Sequence, residues 1–145
     1  MTPLDRFIRN ILILVPQGSL IDRYRFGVGM LSRQAKRLKA RTKAHKLPTK
    51  GFRKDLSANG QDGEMYRHLY FHLAFYLLGP PGWLGSWAIG MIDILQAKKG
   101  RTESQTEVRD NIAGRECGRI LQAYSKKKLP RAEAEERLRA LLAES

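Results

Sequence analysis

Arg67 and His68 stand side by side, and farther along the chain Glu107, Asp110 and Asn111 fall within a single helical turn or little more. An imidazole beside a carboxylate can be held in one tautomer and act as general acid or base. A guanidinium and an amide can hold or polarise an oxyanion. Arg67, His68, Glu107, Asp110 and Asn111 are therefore the candidate catalytic set. His68 is the acid/base, the two acids orient it, and Arg67 binds an anionic group.

Helical spacing places these residues on faces that can meet. Positions four apart share one face of a helix, so Glu64, His68 and His72 form a stripe with Arg67 beside it. Glu107, Asn111, Gly114 and Gly118 form a second stripe, flanked by Asp110. Each glycine inside a helix costs about 1 kcal/mol relative to alanine. Two of them on one face point to a neighbouring helix in close approach, and the His68 helix is the expected neighbour.

Other chemistries compete for the same residues. His68 and His72 have the spacing of a helical zinc pair, with Glu64, Glu107 or Asp110 as further ligands. The glutamate that follows the first histidine in zincins is missing, because Leu69 stands there. No metal is assigned, and the residues leave the cofactor open. A buried polar network that fixes helix register is the non-catalytic alternative. Cys117 lies on the apolar face of its helix and is expected to fill core space rather than attack a substrate.

Arg67-His68-x-x-Phe71, followed by Glu107-x-x-Asp110-Asn111-x-x-Gly114-Arg115, resembles a helical domain of bacterial polymorphic toxins and secreted effectors. That family's pattern is Arg-His-x-x-aromatic, later Asp-x-x-Asn-Asn-x-x-Gly-Arg. Arg67, His68, Asn111, Gly114 and Arg115 match it directly. Glu107 stands where the family has Asp, Asp110 where it has the first Asn, and its intervening His-Glu pair has no clear counterpart. The resemblance covers residues 63–118 and implies a helical domain with a polar site of hydrolytic type.

The elements that must position these residues are helical throughout. Leu4, Phe7, Ile8, Ile11 and Leu12 predict a first amphipathic helix over residues 3–15, with Pro3 in its first turn and Thr2 as cap. A second helical region runs from Leu20 to about Lys46, with Gly27 and Gly29 expected to divide it. Residues 47–62 are rich in turn formers. An apolar helix then runs to Leu78, Gly79-Pro80-Pro81-Gly82 breaks the chain, and a second apolar helix extends from Trp83 to about Ala97. Thr102 and Gln105 have the form of a capping box for a fifth helix, and Pro130 opens a last one. With no period-two alternation and no internal repeat, the class is all-α: a compact domain of about five to seven helices with a central apolar hairpin.

Charge divides the chain at residue 54. Residues 1–54 hold 14 Lys and Arg against two acids, a net +12 out of +13 for the whole chain. This segment is read as a basic helical arm, and 55–145 as the helical core domain with the candidate site. Arg33, Lys36, Arg37, Lys39, Arg41 and Lys43 are the candidate nucleic-acid-binding residues. The partner expected at 20–54 is a polyanion, either nucleic acid or an anionic lipid surface. Membrane association through 69–95 is a further expectation, because that stretch is nearly uncharged and carries both tryptophans. The Gly-Pro-Pro-Gly break leaves its pieces shorter than the roughly 20 residues a spanning helix needs.

The apolar run Ile11–Val15 is short and stops at Pro16, so no signal peptide is expected and the cytoplasm is the expected compartment. One cysteine gives no disulfide framework. Three function classes emerge. The first is an effector-like domain, hydrolytic if it is an enzyme and acting on a phosphate-containing substrate. The second is a non-enzymatic nucleic-acid-binding or assembly protein, and the third a membrane-surface protein. Oligomeric state is not set by the sequence.

Overall fold

A computed structural model describes residues 1–39, 48–56, 62–98 and 102–144, with side chains at 34–39, 62–64, 93, 96–98 and 102–107 left undescribed. It contains six α-helices: α1 (Pro3–Leu14), α2 (Leu20–Lys39), α3 (Asp62–Leu77), α4 (Pro80–Lys98), α5 (Thr102–Ser125) and α6 (Arg131–Leu142). The all-α class and the helix number follow the sequence reading. Among the described residues the sole β-type pairing is an isolated bridge from Phe52 to Ala143.

Helix α1 starts where its sequence says it should. The Thr2 hydroxyl accepts from the Asp5 amide at 3.1 Å, and the Asp5 carboxylate accepts from the Thr2 amide at 2.9 Å. This reciprocal cap satisfies two end amides. Leu4, Phe7, Ile8, Ile11 and Leu12 are all buried. Although α1 belongs to the most basic part of the chain, its apolar stripe is part of the core. Asp5 also pairs with Arg139 of α6, and that hydrogen bond, more than those from Thr2, holds the carboxyl well below the usual range. The break after α1 is fastened to the end of α5: Ser125 Oγ donates to the Pro16 carbonyl at 2.6 Å and the Gly18 amide to the Ser125 carbonyl at 2.7 Å.

Helix α2 is continuous across Gly27 and Gly29, contrary to the expected division. Gly27 is there for closeness: a Cβ would come within 2.8 Å of the Leu78 side chain and 3.3 Å of the Ala74 carbonyl. The cost of that glycine is offset by packing against α3.

Helix α3 is the axis of the fold, packed against α2, α4 and α5. Met65, Leu69, Leu73 and Leu77 are fully buried and face the core. Leu78 and Gly79, the latter at φ +81°, form the whole connection to α4. Pro80 and Pro81 therefore both stop α3 and open α4, which starts three residues before the expected Trp83. Gly82 lies so near α3 that a Cβ would fall 1.9 Å from the Phe75 carbonyl oxygen. The expected apolar hairpin forms, but its arms differ: α3 is central, whereas α4 keeps one face in solvent. No described helix is long and apolar enough to cross a membrane.

Helix α5 makes the largest interface, with α3. Gly114 faces the Leu69 carbonyl and His72 Cβ, and Gly118 faces Tyr76 Cβ and the Leu73 carbonyl. The two helices therefore meet along a glycine seam, as their spacing implied. Helix α6 closes the other side through Ala134, Leu138 and Leu142. The segment 48–56 ties it to α1: Arg53 N donates to Leu142 O at 2.8 Å, and Leu4 N to Lys50 O at 3.3 Å.

Candidate active site

The α3–α5 seam brings the polar residues of the two helices together. His68 Nδ1 lies 2.6 Å from Asn111 Oδ1. An amide oxygen accepts, so with this amide orientation the ring carries its proton on Nδ1 and Nε2 is the acceptor nitrogen. Arg67 Nη2 stands 3.4 Å from that Nε2. His68 is 8% exposed and Arg67 is half-buried, so the pair lies at the margin of the core. The hydrogen bond at Nδ1 is made with Asn111, itself a member of the candidate set. Asp110 is buried on the same turn of α5. Glu107 belongs to α5, but its side chain lies outside the described residues, as does that of Glu64.

One turn deeper lies a second layer. His72 is fully buried, its ring stacked near that of His68 at 6.4 Å between centroids. His72 Nδ1 lies 2.7 Å from Ser86 Oγ, and Arg115 Nε donates to the same oxygen at 2.9 Å. Arg115 Nη2 also donates to the Ser86 carbonyl at 3.3 Å, and its guanidinium lies over the Trp87 ring at 4.4 Å. Gly90 makes room for it, since a Cβ there would fall 2.1 Å from Arg115 Nη2. Since Arg115 fills an acceptor position on Oγ, the Ser86 hydroxyl is free to donate to a neutral His72.

Burial, and then the charges of Arg115 and His68, push the His72 imidazole down to about 3, with Asn111 opposing slightly. His72 is thus neutral in the fold over the whole ordinary pH range. Its Nε2 has no hydrogen-bond partner of normal geometry among the described residues. The unfolded chain binds the proton near pH 6.5 and the folded chain only near 3. Stability contributed by the neutral ring is therefore complete above about pH 6.5 and declines as pH falls towards 3. Thermal melts across that interval should show this decline, and His72→Gln should flatten it.

Ser86 and His72 have the separation of a nucleophile and its base. Both are fully buried, however, and Ser86 is shared between His72 and Arg115, so they serve as the foundation for α3, α4 and α5. Ser86→Ala would leave Arg115 Nε and His72 Nδ1 without their shared partner. Hydrogen bonds to charged groups contribute about 1.5–3 kcal/mol, so a loss of about that size is expected in urea melts.

The sequence reading missed Ser86, and named Arg115 only through the resemblance. A signal existed for Ser86: it is the one hydroxyl residue in the apolar stretch from Pro80 to Ile92. Arg33 is exposed on α2. Lys36, Arg37 and Lys39 fall in the same helix with side chains outside the described residues, and Arg41 and Lys43 lie outside them altogether. Among the described residues no group of three His, Cys, Asp or Glu is placed to hold a metal. Cys117 is sealed in the core, where burial pushes its thiol up to about 12.

The chain matches no family model, no curated protein and no solved structure.

Proposed function

We propose that this chain is a small effector-like helical domain that hydrolyses an anionic, phosphate-containing substrate. His68 Nε2 is the general base, and Arg67 binds the anionic group beside it. Asn111 holds the ring in the Nδ1–H tautomer, a role known in general from second-layer partners of catalytic histidines. The observation that carries the reading is the short His68–Asn111 contact of 2.6 Å, with the Arg67 guanidinium next to the opposite ring nitrogen.

A base needs its lone pair turned toward the substrate, and a phosphoryl oxygen needs a cation nearby. The Arg67 guanidinium, 3.4 Å from His68 Nε2, supports the reading because it sets a cation beside the candidate base. Asp110 adds a carboxyl to the same buried turn. The resemblance to toxin and effector domains rests on the same residues, Arg67, His68 and Asn111, together with Gly114 and Arg115 of the underlying packing.

The test is catalytic. The purified full chain is offered phosphomonoester, phosphodiester and RNA probes, and its induced expression is scored for bacterial growth arrest. Turnover or arrest that disappears in His68→Ala, with the helical CD signal unchanged, supports the reading. Turnover that survives the substitution overturns it, as does the absence of both turnover and arrest in the unaltered chain.

A further inference from the structure

Helix α4 has no charged residue from Pro80 to Ile92. Its inner side faces α3 and α5 through Gly82, Ser86 and Gly90, all buried. Its outer side is equally apolar and lies in solvent. Leu84 is 75% exposed, Ile92 57%, Leu95 52%, and Trp87 and Met91 50% each. At helical spacing Leu84, Trp87, Met91 and Leu95 fall on one face. A contiguous apolar strip of this kind is uncommon on a soluble monomer and marks a surface that docks.

One edge of the strip carries the exposed cations Arg109 and Arg119. Arg115 lies over the Trp87 ring but is itself buried and held by Ser86. Arg119 lies 5.4 Å from the centroid of the Tyr76 ring, which itself stacks on Trp83 at 5.6 Å. Ile112 continues the apolar surface onto α5, where it is exposed between these arginines and the exposed Arg109. Arg119 also pairs with Glu116, an exposed contact that is readily exchanged for another anion.

We infer that the outer face of α4 docks on an anionic lipid surface. Of the net +13 of the chain, +12 lies in residues 1–54. The positive charge beside this face therefore comes from the exposed Arg109 and Arg119, and together with the basic N-terminal segment it favours a negatively charged bilayer. Tryptophan suits the headgroup level, where an apolar ring and a polar N–H are both accommodated. Trp83 and Trp87, one turn apart on α4, both reach the surface, with Leu84 and Met91 exposed on the same helix. The geometry is that of a helix lying in the interface plane rather than crossing it. This surface is separate from the Arg67–His68 site and does not depend on its being catalytic.

Both tryptophans of the protein are on α4, so intrinsic fluorescence reports on this helix alone. Full-length chain is titrated with vesicles of phosphatidylcholine, with or without phosphatidylserine, and followed by emission and co-flotation. The expected result is a blue shift and co-flotation with the phosphatidylserine vesicles only, with partitioning at least about tenfold weaker for Leu84→Gln/Met91→Gln. Both positions are exposed, so CD and thermal melts should be unchanged.

Co-flotation without a fluorescence shift would overturn the assignment, because charge elsewhere would then be sufficient. Equal binding to neutral vesicles would overturn the electrostatic part. A concentration-dependent blue shift without lipid, together with dimer by sedimentation, would assign the face to a second copy instead.

Discussion

Alanine in place of His68 is expected to reduce turnover of a phosphate ester by about 10²–10⁴-fold, the usual contribution of a positioned acid/base. The fold should survive, because the ring sits at the margin of the core and Leu69 and Leu73 beside it continue to fill the interior. Arg67→Gln should behave differently: it weakens capture of the anion, so KM rises while the pH dependence of kcat is kept. Asn111→Ala leaves the base in place but frees its tautomer, and kcat should fall with little change in KM. A network that only fixed helix register would show the opposite pattern, with melting temperature lost in all three variants and no separation of kcat from KM.

The glycine seam gives the largest expected effect on stability. At Gly118 a Cβ would lie 2.5 Å from Tyr76 Cβ and 3.0 Å from the Leu73 carbonyl oxygen. Neither is the end of a flexible side chain, so α3 and α5 must separate. Gly118→Ala is therefore expected to cost about 1–3 kcal/mol by overpacking, despite a helix-propensity gain of up to about 1 kcal/mol. Gly29 supplies the contrast. A Cβ there meets nothing within 4 Å, so Gly29→Ala should stabilise the chain by about 0.5–1 kcal/mol. Differential scanning calorimetry of the two variants should give shifts of opposite sign. Shifts of the same sign would mean that propensity, not close approach, explains the glycines. Gly114→Ala should in addition depress turnover, since its Cβ would lie 3.0 Å from His72 Cβ and 3.1 Å from the His68 carbonyl.

Much of this arrangement is visible in the chain because periodicity and special residues report on local geometry. The α1 stripe, its Thr2–Asp5 cap and the Gly79-Pro80 connection follow from residue types with few conformational options. The pairing of α3 with α5 was legible for the same reason: two glycines four apart leave a groove that only another backbone fills. What stayed hidden depended on three-dimensional partners. Gly27 looks like a helix breaker in sequence, yet it is the contact point of α2 with Leu78 and Ala74. Ser86 looks like a minor polar interruption, yet it joins Arg115 to His72. Asn111 and the acids could not be ranked as partners of His68, because a difference of one position turns a side chain by about 100°. An apolar-all-round helix such as α4 carries no record of which face is covered, so its exposed strip emerged only from the packing.

The state of the His68 ring is the most direct point of test. Long-range proton–nitrogen NMR on the uniformly labelled chain, at a pH where the ring is neutral, distinguishes the two tautomers. The proton is expected on Nδ1, with Nε2 carrying the lone pair beside Arg67, and Asn111→Ala should shift the ring toward a mixture. Finding the proton on Nε2 in the unaltered chain would contradict the account, because the nitrogen next to Arg67 would then have nothing with which to accept a proton from a substrate.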